Sequence, residues 1–217
     1  ELLHNIEHQA KQGVDYMTFV VPGLVMLSIV TTAYANTSFT FFTSKFFARS
    51  IDEILVSPTP PWLLIVGFIG GGVVRGFLTG TLVLLVSLFF TDISLSIASV
   101  LIIAGFAFLT ALVFALAGLV NGIYAKSMDG ISIVPTFVLT PLVYLGGVFY
   151  SIHTLPEWWQ TLTYANPLFY LINGFRYGFL GVADVSLWLS FLVLFSLIGV
   201  LGSVNWYLIR TGLGLKQ

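Results

Sequence analysis

Five stretches of this sequence are apolar for long enough to cross a lipid bilayer, and that requirement outweighs every other feature. They lie near 17–43, 62–90, 97–124, 131–150 and 185–209. About 20 consecutive apolar residues in a helix cover the roughly 30 Å of a hydrocarbon core. Inside that core only helices and closed barrels satisfy every backbone N–H and C=O, and long runs without strict alternation predict helices. Composition agrees. Apolar residues make up 58% of the chain and charged residues 8%, where soluble domains carry roughly a quarter charged. The fold class expected is an all-α integral membrane protein.

The same composition excludes several chemistries. A net charge of -1 supplies no basic field for nucleic acid. Cysteine is absent, which removes disulfides, thiolate zinc sites and cysteine nucleophiles together. Twenty Phe, nine Tyr and five Trp suit contact with membrane lipid and anchoring at its interfaces. His4 and His8 stand at i, i+4 spacing and read as a solvated pair rather than a metal site.

A sixth stretch, 155–181, is apolar only in part. Asn166-Pro167 breaks it and Arg176 interrupts it. Proline cannot donate to the helix ladder, so this length reads as two short half-helices with a turn between them, a re-entrant hairpin. Lys45 and Arg49 follow the first span, Lys126 the third, and Arg210 and Lys216 the fifth. An alternating path puts all five on one side, which the positive-inside rule makes cytoplasmic. The hairpin, Asp92, Glu157 and Asp184 then lie outside, as does the start of the chain. The first residue is Glu1, so a preceding span is expected, giving six when intact.

At this point particular residues resemble a known family. Gly146-Gly147-Val148-Phe149-Tyr150-Ser151, Leu155-Pro156, Trp158-Trp159-Gln160, Asn166-Pro167-Leu168 and Phe175-Arg176-Tyr177-Gly178 together are similar to the carboxy-terminal signature of type-2 ABC export permeases. Phe19-Val20-Val21-Pro22-Gly23-Leu24 resembles the start of their second span, and Pro58-Thr59-Pro60 the loop that follows it. These are the permeases of daunorubicin-resistance, nodulation-factor and polysaccharide export. The resemblance implies an inner-membrane subunit working as a dimer of two copies, beside a separate ATPase chain that holds ATP and Mg. It also implies a lumen between the two halves. No cofactor is expected in this chain: Gly70-Gly71-Gly72-Val73-Val74-Arg75-Gly76 lacks the Gly-Lys-Ser/Thr of a phosphate loop.

Three groups of residues are candidates for function. In the loop 45–56, Phe46, Phe47, Ile51, Ile54 and Leu55 share one helical side while Arg49, Asp52 and Glu53 point elsewhere. That pattern suits an amphipathic helix lying on lipid, or the ATPase-coupling helix that the resemblance implies. The acidic pair Asp52-Glu53 favours coupling over an anionic leaflet. Second, Arg75 falls near midplane with no carboxylate at its depth. Thr31, Thr32 and Thr140 count to the same level. Arg75 therefore either leans on hydroxyls and carbonyls or meets an anionic ligand in a pathway. Third, Asn166, Pro167 and Arg176 form either an outer gate or an interfacial anchor. Gly72, Gly76 and Gly80, with Gly118 and Gly122, read as close helix packing.

No His-Glu-x-x-His, Gly-x-Ser-x-Gly or intramembrane acid pair points to an enzyme. The function expected is outward transport of an amphiphilic, lipid-linked or drug-like substrate, driven by a partner ATPase. A carrier or channel not coupled to an ATPase is the alternative.

Overall fold

The structure, a computed structural model, describes residues 16–47, 51, 59–90, 96–150, 152 and 155–214. Helix α1 spans Tyr16–Phe46, α2 Pro61–Leu88 and α3 Ile97–Tyr124. Helix α4, Met128–Leu145, is α-helical to Val134, turns π-helical over Pro135–Leu139 and returns to α at Thr140. The short α5 and α6 cover Glu157–Ala165 and Pro167–Leu180, and α7 covers Leu187–Thr211. Among the described residues, helices α1, α2, α3, α4 and α7 are the 5 long and apolar enough to cross a membrane. The five expected spans and the broken sixth stretch are all present.

Helix boundaries follow local chemistry. Pro60 and Pro61 open α2, where a missing N–H costs nothing. Ser96 and Ser127 cap α3 and α4 by accepting from Ser99 N and Gly130 N. Gly147, at φ 81°, turns the chain out of α4. This moves the fourth span to 128–145 from the 131–150 expected, because the Ser127 cap starts the helix early and Gly146-Gly147 end it.

Helix α1 is the centre of the bundle, packed most heavily on α3 and α2. It runs antiparallel to α2 along a glycine seam. A Cβ on Gly72 would lie 2.9 Å from Ala33 O, and one on Gly76 2.8 Å from Ala33 Cβ. On the next side a Cβ on Gly122 would lie 2.9 Å from Ser38 O. Only glycine lets these backbones approach so closely.

The π turn in α4 has a definite cause. Pro135 cannot donate to Ile131 O, and Asn121 of α3 supplies that donor from Nδ2 at 3.0 Å. The same amide donates to Ser38 Oγ of α1 at 3.0 Å, so one side chain ties three helices. Thr140 then closes the wide turn, its hydroxyl donating to Pro135 O at 2.9 Å. In α7, Asn205 donates to Leu116 O of α3 at 3.0 Å and holds this otherwise lipid-facing helix on the bundle.

At the end carrying the basic residues, α1 continues two residues beyond Ser44, so the segment expected as a separate helix over 45–56 begins inside the span. Lys45 turns inward and donates to Ile123 O at 3.0 Å and to Gly214 O. It thereby binds the ends of α1, α3 and α7.

Candidate functional site

Two places gather polar side chains: the outer face of α1 at mid-depth, and the hairpin at the outer end.

Arg75 lies in the middle of α2, about 20 Å from either end at 1.5 Å per residue. Its partner level on α1 follows from the seam. Gly71, one turn earlier on the same face, would place a Cβ 3.7 Å from Asn36 Oδ1. One turn on in antiparallel register, Arg75 comes to the level of Thr32. This is the level counted from sequence. Arg75 is exposed, and neither a hydrogen bond nor an ion pair reaches it among the described residues. The structural satisfaction weighed for it from sequence is therefore not supplied by this chain's described residues. A charge at the bilayer centre costs about 3 kcal/mol or more when it meets hydrocarbon, so this face belongs against water or protein.

The face continues around α1. Thr31 is exposed, with its hydroxyl turned to Leu27 O at 2.8 Å. Beyond it a cavity of about 290 Å³ opens between α1 and α4, lined by Leu27, Thr31, Thr136, Leu139, Thr140 and Tyr144, among others. The π turn broadens α4 at this place and presents Thr136 and Thr140. Arg75, Thr32 and Asn36 thus border one edge of the outer face of α1, and Thr31, Thr136 and Thr140 the other.

At the outer end, the hairpin is built as the sequence suggested, but its polar residues point inward. Asn166 caps α6 by accepting from Leu168 N at 3.0 Å, and its Nδ2 donates to Leu142 O at 2.6 Å near the end of α4. Pro167 occupies the first turn of α6. Arg176 is 5% exposed. It donates from Nη2 to Gly147 O at 2.7 Å, pairs with Asp184 at 3.3 Å and stacks over the Phe19 ring at 4.0 Å. It lies outside the five spans. Burial lowers the guanidinium's pKa from its ordinary value, and Asp184 opposes that shift. Asn173 accepts from Asp184 N and Val185 N and donates to Val185 O, fixing the carboxylate's loop. Arg176 and Asn166 are therefore clamps joining α1, the α4–α5 loop and α6. Trp158, at the hairpin's exposed start, stacks on Trp159 with centroids 4.2 Å apart.

The coupling residues divide. Phe47 is 70% exposed. Phe46 is half-buried against Phe42, Ala125 and Ile131, and Ile51, at 4%, belongs to the main core. The shared apolar face expected over 45–56 is thus split, with Ile51 turned into the permease. Arg49, Asp52 and Glu53, like Ile54, Leu55, His4 and His8, lie outside the described residues.

Sequence reasoning passed over Asn121, Asn173 and Asn205, and took Lys45 only as a flanking cation. The signal was present: an amide or ammonium in an apolar span is costly unless partnered, so each should have prompted a search for a freed or terminal carbonyl.

Comparison with known proteins identifies the family. The profile of the ABC-2 type transporter family matches residues 2–180. Inner membrane transport permease YadH of Escherichia coli (strain K12) is 52% identical over 205 residues, covering 94% of this chain and 79% of that protein. Nodulation protein J of Rhizobium leguminosarum bv. viciae is 27% identical over 195 residues, covering 88% and 74% respectively. A match of that extent, on a bundle with five membrane-crossing helices, means that the chain belongs to the ABC-2 type transporter family.

Proposed function

We propose that this chain is the permease subunit of an ATP-driven exporter in the inner membrane, and that a separate ATPase chain carrying ATP and Mg drives it. Two copies would face each other across the outer surface of α1, and an amphiphilic, lipid-linked or drug-like substrate would move outward between them. The observation that carries this reading is the mid-depth face bearing Arg75, Thr32, Asn36, Thr31 and Thr140. Leu, Val and Phe dominate the outward surface of the long helices, and α7 also exposes the hydroxyls of Ser196 and Ser203; among the described residues only this face adds a cation at mid-depth to an amide and hydroxyls.

Under this reading Phe47 meets the ATPase at the cytoplasmic end, while Asn166, Pro167 and Arg176 hold the outer cap that opens when the halves rearrange. Lys45 is suited to carry motion inward, because it joins three helix ends next to Phe46 and Phe47. The test is co-purification of the tagged permease from native membranes, followed by ATP hydrolysis in proteoliposomes. An ATPase subunit should co-elute, and hydrolysis should require both chains. Substrate movement driven by an ion gradient with no ATPase present would instead establish the uncoupled carrier.

A further inference from the structure

We infer that Arg75 receives the oxyanion headgroup, phosphate or carboxylate, of an amphiphile in transit, with Thr32 and Asn36 supplying hydrogen bonds beside it. This rests on the transport reading and adds to it the charge class of the substrate.

Four observations converge. Arg75 stands about 20 Å from both ends of α2, further than an arginine side chain extends, so it cannot snorkel to a headgroup layer. It is exposed, and among the described residues it has no partner. The five spans hold one carboxylate, Asp129, in the first turn of α4 at the cytoplasmic end. A second copy of these five spans brings the same set, so their pairing across this face supplies no anion at this depth.

The surroundings fit a headgroup. Thr32 and Asn36 are half-buried, and neither side chain makes a hydrogen bond among the described residues. Helical side chains lean over the preceding turn, which for Arg75 is that of Gly71, beside Asn36. Gly67, a turn earlier again, has open space where a Cβ would be, so the face is smooth below the cation and leaves room for an acyl or prenyl chain. The guanidinium fork matches two oxygens of a phosphate or carboxylate, and apolar walls around a lone charge focus its field on such a group.

The experiment measures binding to the purified permease in phosphatidylcholine nanodiscs, using tritiated dodecyl phosphate, laurate and the uncharged dodecanol. Wild-type protein should bind at least one anion saturably, tenfold or more tightly than dodecanol. Arg75→Gln should erase that preference and Arg75→Lys keep part of it. Thr32→Val, which preserves size, should weaken it a few-fold with unchanged elution and circular dichroism. Displacement by phosphatidic acid added to the nanodisc would place the anionic amphiphile among bilayer lipids, and failure to displace would place it outside them. Displacement by inorganic phosphate as readily as by dodecyl phosphate would make this a free-anion site and overturn the inference. Equal binding of dodecanol and both anions would overturn it too, as would a preference retained in the Gln variant. If the Gln variant does not fold, an unaltered preference in both the Lys and Val variants overturns it. No ATPase enters the assay, so its failure leaves the transport reading to its own test.

Discussion

Replacing Ile51 and Phe47 by aspartate should separate two roles that the sequence joins on one apolar face. Phe47 is 70% exposed and Ile51 4%. An aspartate at 47 removes little packing, and substitutions at such surface positions change stability by about 0.5 kcal/mol or less. At 51 the change forfeits about 1.5–3 kcal/mol of apolar burial and forces a carboxylate into the core, for a total above about 4 kcal/mol. Heating solubilised protein and following its size-exclusion peak reads the difference. Phe47→Asp should melt within about 2 °C of wild type, while Ile51→Asp should aggregate or melt well over 10 °C lower. A phenylalanine seated in a partner's groove is worth about 1.5–3 kcal/mol, so the ATPase retained by Phe47→Asp should fall roughly tenfold or more. ATPase co-purifying at wild-type level with normal export in Phe47→Asp would refute the coupling role. Wild-type melting of Ile51→Asp would refute the packing argument.

Asn121→Leu should lower thermal stability by about 1–3 kcal/mol, because it leaves the Ile131 carbonyl that Pro135 frees without a donor; an unchanged melting midpoint would contradict this. Gly76→Val should sharply reduce folded yield, since a Cβ there meets Ala33 Cβ at 2.8 Å, whereas Gly105→Ala, with open space around it, should not. Equal yields would remove the seam argument. Arg176→Gln should loosen the outer cap, seen as faster proteolysis in the 146–157 segment, with α1–α3 packing intact; an unchanged cleavage pattern would count against the clamp.

The spans were legible because hydrocarbon imposes one requirement on every residue within it, and a window of apolar residues reports that requirement directly. The hairpin was legible because Pro167 cannot continue a helix from Ala165. The depth of Arg75 was legible from the rise per residue, and the glycine seam bears out its level beside Thr32. What escaped were long-range pairings. Ile51 carries the same local signal as Phe47, and only the approach of other helices decides that one is buried. Lys45 reads as a flanking cation until the ends of α3 and α7 present their carbonyls. The π turn depends on Asn121, fourteen positions before Pro135, and no local pattern joins them.

The chain has no cysteine of its own, so single cysteines can map the proposed path directly. Cysteines at Thr31, Thr32 and Thr140 should react with a membrane-impermeant thiol reagent in the permease–ATPase complex. Their rates should change when the ATPase is trapped with ATP and vanadate. Cysteines at Val200 and Val204, exposed on α7, which packs on α3 and α6 rather than on α1, should stay unreactive in both states. Positions 31, 32 and 140 remaining as unreactive as 200 and 204, with and without ATP, would contradict an aqueous export path along α1.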